Sequence, residues 1–311
     1  MSRLGWAPRR WPGRPRWAPR RWPGRLRRLR WLANPWAKAR FLWVVAIAYL
    51  GWTLLPVAIA VLFSFNGGRS LTAWQGFSTQ WYAGNVSSVW DDPVLRSALA
   101  QSFKLASLTV LVAVPLGVAF ALALDRWRGR GAGTANFLMM FSFVTPEVAI
   151  GVALFLFFTQ LVEGIGPGFA AQVGGLSMYM MAYPVIVVRA RLLSIGKEYE
   201  EAAMDLGASP TGALGRVLLP LLTPAILASV AIVFAASIDN FVISQQLSRD
   251  ASTQTIPILI YSAARTGPLP SLNALASITL ATSTVLIGGA MLVYRWLTRG
   301  ERRAGLALPV V

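Results

Sequence analysis

The sequence predicts an all-α membrane protein with six transmembrane helices, and three observations predict it. Apolar residues fill 55% of the 311 positions, charged ones only 13%, and the mean hydropathy is +0.55. That balance is too apolar for one soluble domain. Six apolar runs can be marked, at 41–63, 98–124, 135–159, 174–195, 221–243 and 273–297. At about 1.5 Å per residue, each crosses a hydrocarbon core of roughly 30 Å. Basic residues are sorted between alternate connections. Arg126, Arg128 and Arg130 follow the second run, Arg189, Arg191, Lys197 and Arg216 surround the loop after the fourth, and Arg295, Arg299, Arg302 and Arg303 follow the sixth. The other three connections hold only Arg69, Arg96, Arg249 and Arg265. The positive-inside rule then places both termini in the cytoplasm of a multi-pass protein of the cytoplasmic (inner) membrane.

Residues 1–40 come first and explain the net charge. Of the 29 Lys and Arg residues 13 lie there and none of the 12 acids does, so the rest of the chain carries only 16 basic against 12 acidic groups. Trp6 to Arg14 (Trp-Ala-Pro-Arg-Arg-Trp-Pro-Gly-Arg) recurs as Trp17 to Arg25. The prolines and glycines of this repeat oppose a regular helix before Leu26, which predicts a disordered, basic cytoplasmic arm. Its Trp and Arg residues suit anionic lipid headgroups, with RNA binding or targeting as the alternatives; no specific nucleic acid is expected. Arg9-Arg10 and Arg20-Arg21 are not followed closely by an apolar core, so neither pair reads as a cleaved export signal. The transmembrane domain is expected over 41–303, with a short tail at 304–311.

Catalysis is nearly excluded by composition. The chain has no Cys and no His, which removes thiol nucleophiles, imidazole bases, disulfides and most transition-metal sites. Gly129-Arg-Gly131-Ala-Gly133-Thr and Gly164-Ile-Gly166-Pro-Gly168 lack the Lys-Ser/Thr ending of a phosphate loop and follow no strand, so both read as turns. No catalytic residue, metal site or cofactor of its own is assigned to the chain.

Polar groups inside apolar runs are the candidates for function. Glu147 follows Pro146 near the middle of the third run, and Asp239, Asn240 and Phe241 stand near the outer end of the fifth. An intramembrane carboxylate costs about 2.5–3.5 kcal/mol on insertion scales, so each should face a watery cavity or a partner. An acid with neighbouring aromatics suits an elongated amine, through charge-assisted hydrogen bonds and cation–π contacts. The structural alternative pairs Glu147 with an Arg of another subunit and makes Asp239 a helix cap. Between the first two runs, Trp74, Phe77, Trp81 and Tyr82 make an extracytoplasmic aromatic loop, a composition that a belt of aromatics at the membrane surface would also give.

Residues 198–220 form the polar connection after the fourth run. Glu198 to Leu206 favours helix, with Glu198, Glu200 and Glu201 in the first turn, where the helix dipole stabilises them. Gly207 supplies a C-terminal stop. Ser209 and Pro210 then read as N-cap and first position of a second helix, expected to run until Pro220 interrupts it. Ala202 and Ala203 leave one face without bulk, which lets another surface come close.

This stretch resembles the EAA loop of the membrane-spanning subunits of type I ABC importers. Glu201, Ala202, Ala203, Gly207, Val217, Leu219 and Pro220 stand at that loop's spacing, and the resemblance extends over about 41–303. Trp74-x-Gly76-Phe77 with Trp81-Tyr82, Ser237-Ile-Asp239-Asn240-Phe241-Val, Thr255-Ile-Pro257, Tyr261-Ser262 and Asn273-Ala-Leu-Ala276 are similar to the polyamine (spermidine/putrescine) branch. Asn240 departs from a usual second Asp, and Leu176 from a frequent His. The resemblance implies a six-helix permease fold with a cytoplasmic coupling loop, in which Glu201, Ala202, Ala203, Asp205, Gly207, Leu219 and Pro220 engage an ATPase. It further implies a second homologous permease, two ATP-binding subunits that hold ATP and Mg, and an extracytoplasmic substrate-binding protein. The function expected is import of a spermidine- or putrescine-like polycation by alternating access. Alternatives are another cargo, such as ferric ion, a phosphonate or a different organic cation, and a membrane scaffold without transport.

Overall fold

The computed structural model describes residues 40–127, 129–162, 164–266 and 270–297, and every described element is helical apart from one isolated bridge between Asn66 and Phe77. The basic arm of residues 1–39 and the tail lie outside the described residues. The chain divides into two units, up to Val57 and from Ala58 onward. The described part of the first is the opening of α1 (Arg40–Phe63), an apolar helix that tolerates Pro56 and ties the Thr53 hydroxyl back to the Tyr49 and Leu50 carbonyls.

The second unit is built around α2 (Pro93–Arg126), α5 (Phe169–Met180), α6 (Ala182–Ile195) and α9 (Leu219–Ile238). Asp92 starts α2 by accepting from the Val94 and Leu95 amides, with Pro93 at the first position, so α2 begins before the apolar run itself. Leu105, Val114, Leu176, Val185, Leu222 and Val233 meet in the shared core. Small residues set the approach: a Cβ on Gly117 of α2 would lie 2.9 Å from the Met181 carbonyl oxygen of the neighbouring segment. A second apolar cluster joins Trp81 and Val89 of the first connection to Leu95, Leu99, Ile256 and Leu275. The last helix, α12 (Pro270–Leu297), buries its first turns through Leu272, Ala274 and Leu275 and exposes Val285, Met291 and Leu292 further on. That exposed apolar surface suits lipid.

Among the described residues, five helical segments are long and apolar enough to cross a membrane: Leu42–Phe63, Pro93–Arg126, Phe169–Ile195, Pro210–Ile238 and Pro270–Trp296. The run predicted at 135–159 is divided instead into α3 (Ala132–Val144) and α4 (Glu147–Leu156), followed by a π-helical turn at Phe157–Leu161. The break is local chemistry. Pro146 has no amide hydrogen to give the preceding turn and biases Thr145 towards extended backbone, and Thr145 has φ −65° and ψ 134°. The second glycine-rich stretch is a turn, and the first is a turn over Gly129–Gly131 whose Gly133 and Thr134 already belong to α3. Gly164 and Gly168 take positive φ, of 86° and 150°, whereas a Cβ on Gly131 would press on the Trp127 indole at 2.8 Å.

Candidate functional site

The polar connection folds as a helical hairpin. α7 (Glu198–Asp205) ends at Leu206, Gly207 turns the chain with φ +90°, and the Ser209 hydroxyl accepts from the Gly212 amide at 3.1 Å to open α8 (Pro210–Ala213). One expectation is corrected here. Pro220 does not interrupt the second helix: a π turn at Leu214–Leu218 absorbs its missing amide, and the helix continues into α9 with Leu219 and Pro220 in its first turn. The hairpin is thus joined without a loop to a core helix. Glu201, Ala202, Asp205 and Gly207 are exposed, Ala203 is half-buried, and Leu206 is 91% exposed at the turn. The base of the hairpin is held by an ion pair between Arg126, the last residue of α2, and Glu200. Arg191 of α6 also donates to the Leu221 carbonyl of α9 at 3.3 Å.

The predicted pathway residues separate into two places. Glu147 opens α4 and accepts a hydrogen bond from the Asn240 side-chain amide, across 93 positions of sequence. Its carboxylate therefore has both a helix N-terminus and a neutral donor to offset its charge. The Asn240 oxygen is occupied in turn by the Ser244 amide and hydroxyl, at 3.2 and 3.4 Å. Asn240 lies between α9 and α10 (Val242–Gln246), which packs against α4 where Gly151 admits Gln246.

Asp239, the C-cap residue of α9, faces elsewhere. It lies on the rim of two cavities. One, of about 560 Å³, is lined by Asp239, Phe241, Tyr261, Thr279 and Ser283, among others, between α9, α11 (Ile256–Thr266) and α12. The other, of about 630 Å³, is an alanine-rich groove along α9 and α12 that includes Ala231, Ala235, Ala290 and Tyr294. In the first, Phe241 and Tyr261 place their ring centroids 4.7 Å apart, and the Ser283 hydroxyl is buried without a partner. Arg265 lies over the Tyr261 ring at 4.6 Å, so that ring already serves as a cation acceptor within the chain. Tyr261 was visible only as part of a motif, and Ser283 gave no sequence signal.

The aromatics of the first connection also divide. Trp81 is 1% exposed and donates its indole N–H to the Asn66 carbonyl at 2.6 Å, so it is an anchor of the fold. The Tyr82 hydroxyl meets that of Ser64 at 2.7 Å. Trp74 packs edge-on against Phe63, and Phe77, 74% exposed, stacks on Phe65.

Several helices of spanning length, a broken apolar run with an acid at the break, and an exposed hairpin continuous with a core helix mark a multi-pass membrane protein. Residues 113–303 match the model of the binding-protein-dependent transport system inner membrane component, and the chain belongs to that family. Among its relatives, the putrescine transport system permease protein PotI of Escherichia coli (strain K12) is 34% identical over 248 residues, covering 76% of this chain and 85% of the relative. The spermidine/putrescine transport system permease protein PotC of the same organism is 31% identical over 254 residues, 82% and 94% of the two chains. Solved structures share the fold. A chain of a bacterial ABC transporter that imports alginate superposes with a TM-score of 0.66 at 15% identity, over 86% of this chain and 99% of that one. A chain of the MetNI methionine ABC transporter does so with 0.54 at 17%, over 66% and 94%.

Proposed function

We propose that this chain is the membrane-spanning subunit of an ATP-driven importer and forms part of the pathway for a small organic polycation of the spermidine or putrescine kind. The relatives' names suggest that cargo. The observation that carries it in this chain is the cavity in which the Asp239 carboxylate stands with the Phe241 and Tyr261 rings. An elongated diamine can set one ammonium against the acid and another against the Phe241 ring, the Tyr261 ring being engaged by Arg265; such a cation–π contact contributes about 0.5–2 kcal/mol. Ferric ion or a phosphonate would gain little from those rings. Glu147, bonded to Asn240 at the break between α3 and α4, supplies a second acceptor.

In this reading α3, α4 and the π turn together make a sixth crossing, both termini are cytoplasmic, and the hairpin 198–220 projects into the cytosol. Its residues Glu201, Ala202, Ala203, Asp205 and Gly207 receive an ATPase subunit, and Leu219 and Pro220 pass its movement directly into α9. Two such ATPases hold the ATP and Mg, a second homologous permease completes the pathway, and an extracytoplasmic binding protein delivers the cargo. Closure of the ATPases draws the hairpins together and tilts α9, which carries Asp239 at its far end, so that access alternates between the two sides. Reporter fusions at Ala132 and after Arg303 should read cytosolic, and one at Gly84 external; a cytosolic signal at Gly84 contradicts the six-crossing arrangement. The cargo is tested by ATP-dependent uptake of labelled putrescine and spermidine in cells lacking other polyamine transport. Uptake that an excess of either amine abolishes supports the reading, and its absence in an assembled transporter refutes it.

A further inference from the structure

Gln172 has no place in the sequence motifs, yet it is wholly buried near the start of α5. Its amide nitrogen donates to the Ser244 carbonyl at 3.0 Å and to the Thr253 carbonyl at 2.9 Å, and its oxygen accepts from the Gln101 side chain of α2 at 3.3 Å. Both amide hydrogens and the oxygen are therefore used, and three segments far apart in sequence converge on one carboxamide. Beside it, the Gly168 amide donates to the Leu247 carbonyl at 2.8 Å, so α5 grips both the body and the end of α10. Ser244, whose carbonyl Gln172 holds, is the residue whose amide and hydroxyl occupy the Asn240 oxygen. With its oxygen engaged there, the Asn240 amide must present its nitrogen to Glu147.

We infer that Gln172 is a positioning residue: by fixing α10 it aims the Asn240 donor at Glu147, and so sets the acceptor that cargo meets at the break between α3 and α4. The buried chain runs from Thr253 through Gln172, Ser244 and Asn240 to Glu147. It starts at the turn Asp250–Thr253, where the Asp250 carboxylate and Ser252 are exposed. Movement at that turn is therefore transmitted to the orientation of the Glu147 partner. The inference rests on the importer reading for its consequence in transport, but not for its geometry.

The test separates the two. The chain has no native cysteine, and a Cβ placed on Gly151 lies 3.6 Å from that of Gln246, within the usual 3.5–4.5 Å disulfide separation. Oxidation of the Gly151→Cys/Gln246→Cys pair in membranes of cells expressing the whole transporter thus reports the seating of α10 on α4. Gln172→Leu should lower the cross-linking rate at least fivefold, and Gln101→Leu, which leaves both carbonyl bonds, should lower it less than twofold. Should Gln172→Leu fail to accumulate, Gln172→Met, which keeps the length of the side chain and loses the donors, replaces it with the same expectation. In the cysteine-free chain, Gln172→Leu should cut polyamine uptake at least tenfold, yet add less than twofold to the loss caused by Asn240→Ala. Unchanged cross-linking, or a full tenfold further loss on top of Asn240→Ala, overturns the inference. Lowered cross-linking in a transporter with no wild-type polyamine uptake would sustain the positioning role and refute only the cargo.

Discussion

Trp81 and Phe77 belong to one aromatic cluster in the sequence and end in opposite environments. Periodicity could not separate them, because what buries Trp81 is the distant cluster with Ile256 and Leu275 and the carbonyl of Asn66. Trp81→Ala should cost about 3–5 kcal/mol, and Trp81→Phe roughly 1–2 kcal/mol for the lost indole bond. Phe77→Ala should stay near 0.5 kcal/mol. Thermal unfolding of the purified protein in detergent checks this order, and equal effects at the two positions contradict it. Asp91 gives the same connection a pH dependence. The Ser88 hydroxyl first, then the Gly84 amide, hold its carboxyl below its ordinary value of 3.8. Because the folded pKa is the lower one, this contribution is complete well above pH 3.8 and is lost as the pH falls from there through the folded pKa. Tryptophan fluorescence between pH 6 and pH 2.5 should therefore show an acid step that Asp91→Asn diminishes; an identical step in the variant would place the titration elsewhere.

At the scale of elements, the hairpin was the most legible part of the chain. Acidic residues at a helix start, Gly207 and the Ser209-Pro210 pair act within a turn of where they stand, so local rules suffice. Pro220 misled for the same reason: its cost is met by the π turn upstream, a compensation that no single residue announces. The broken third run is the converse case. Pro146 marked the place, but only the tertiary arrangement shows that Glu147 is met there by Asn240. The departure from a second Asp then acquires a physical sense, since an amide can donate to Glu147 where a carboxylate would repel it. For the hairpin, Gly207→Pro, which forbids φ +90°, or Ala203→Trp, which adds bulk to the proposed docking face, should abolish transport and substrate-stimulated ATP hydrolysis while membrane insertion persists. Coupled hydrolysis retained in both variants would reduce the hairpin to a connector.

For the whole molecule, the apolar core of α2, α5, α6 and α9 is a rigid frame with polar devices at its two ends. Arg126–Glu200 seats the hairpin at one end; Asp239 with the aromatic pair, and the Asn240–Glu147 contact, make up the proposed route. Apolar runs marked the helices of this frame, because a segment that crosses lipid has to be apolar along most of its length. They could not assign the cavities, which depend on side chains from three helices meeting. The central claim is that the acids of this route carry a polycation. Uptake of labelled putrescine and spermidine by the assembled transporter, compared for wild type, Glu147→Gln and Asp239→Asn, tests it most directly. The account predicts at least a tenfold loss in each variant, with subunit assembly and membrane levels unchanged. Wild-type uptake in both variants would contradict it.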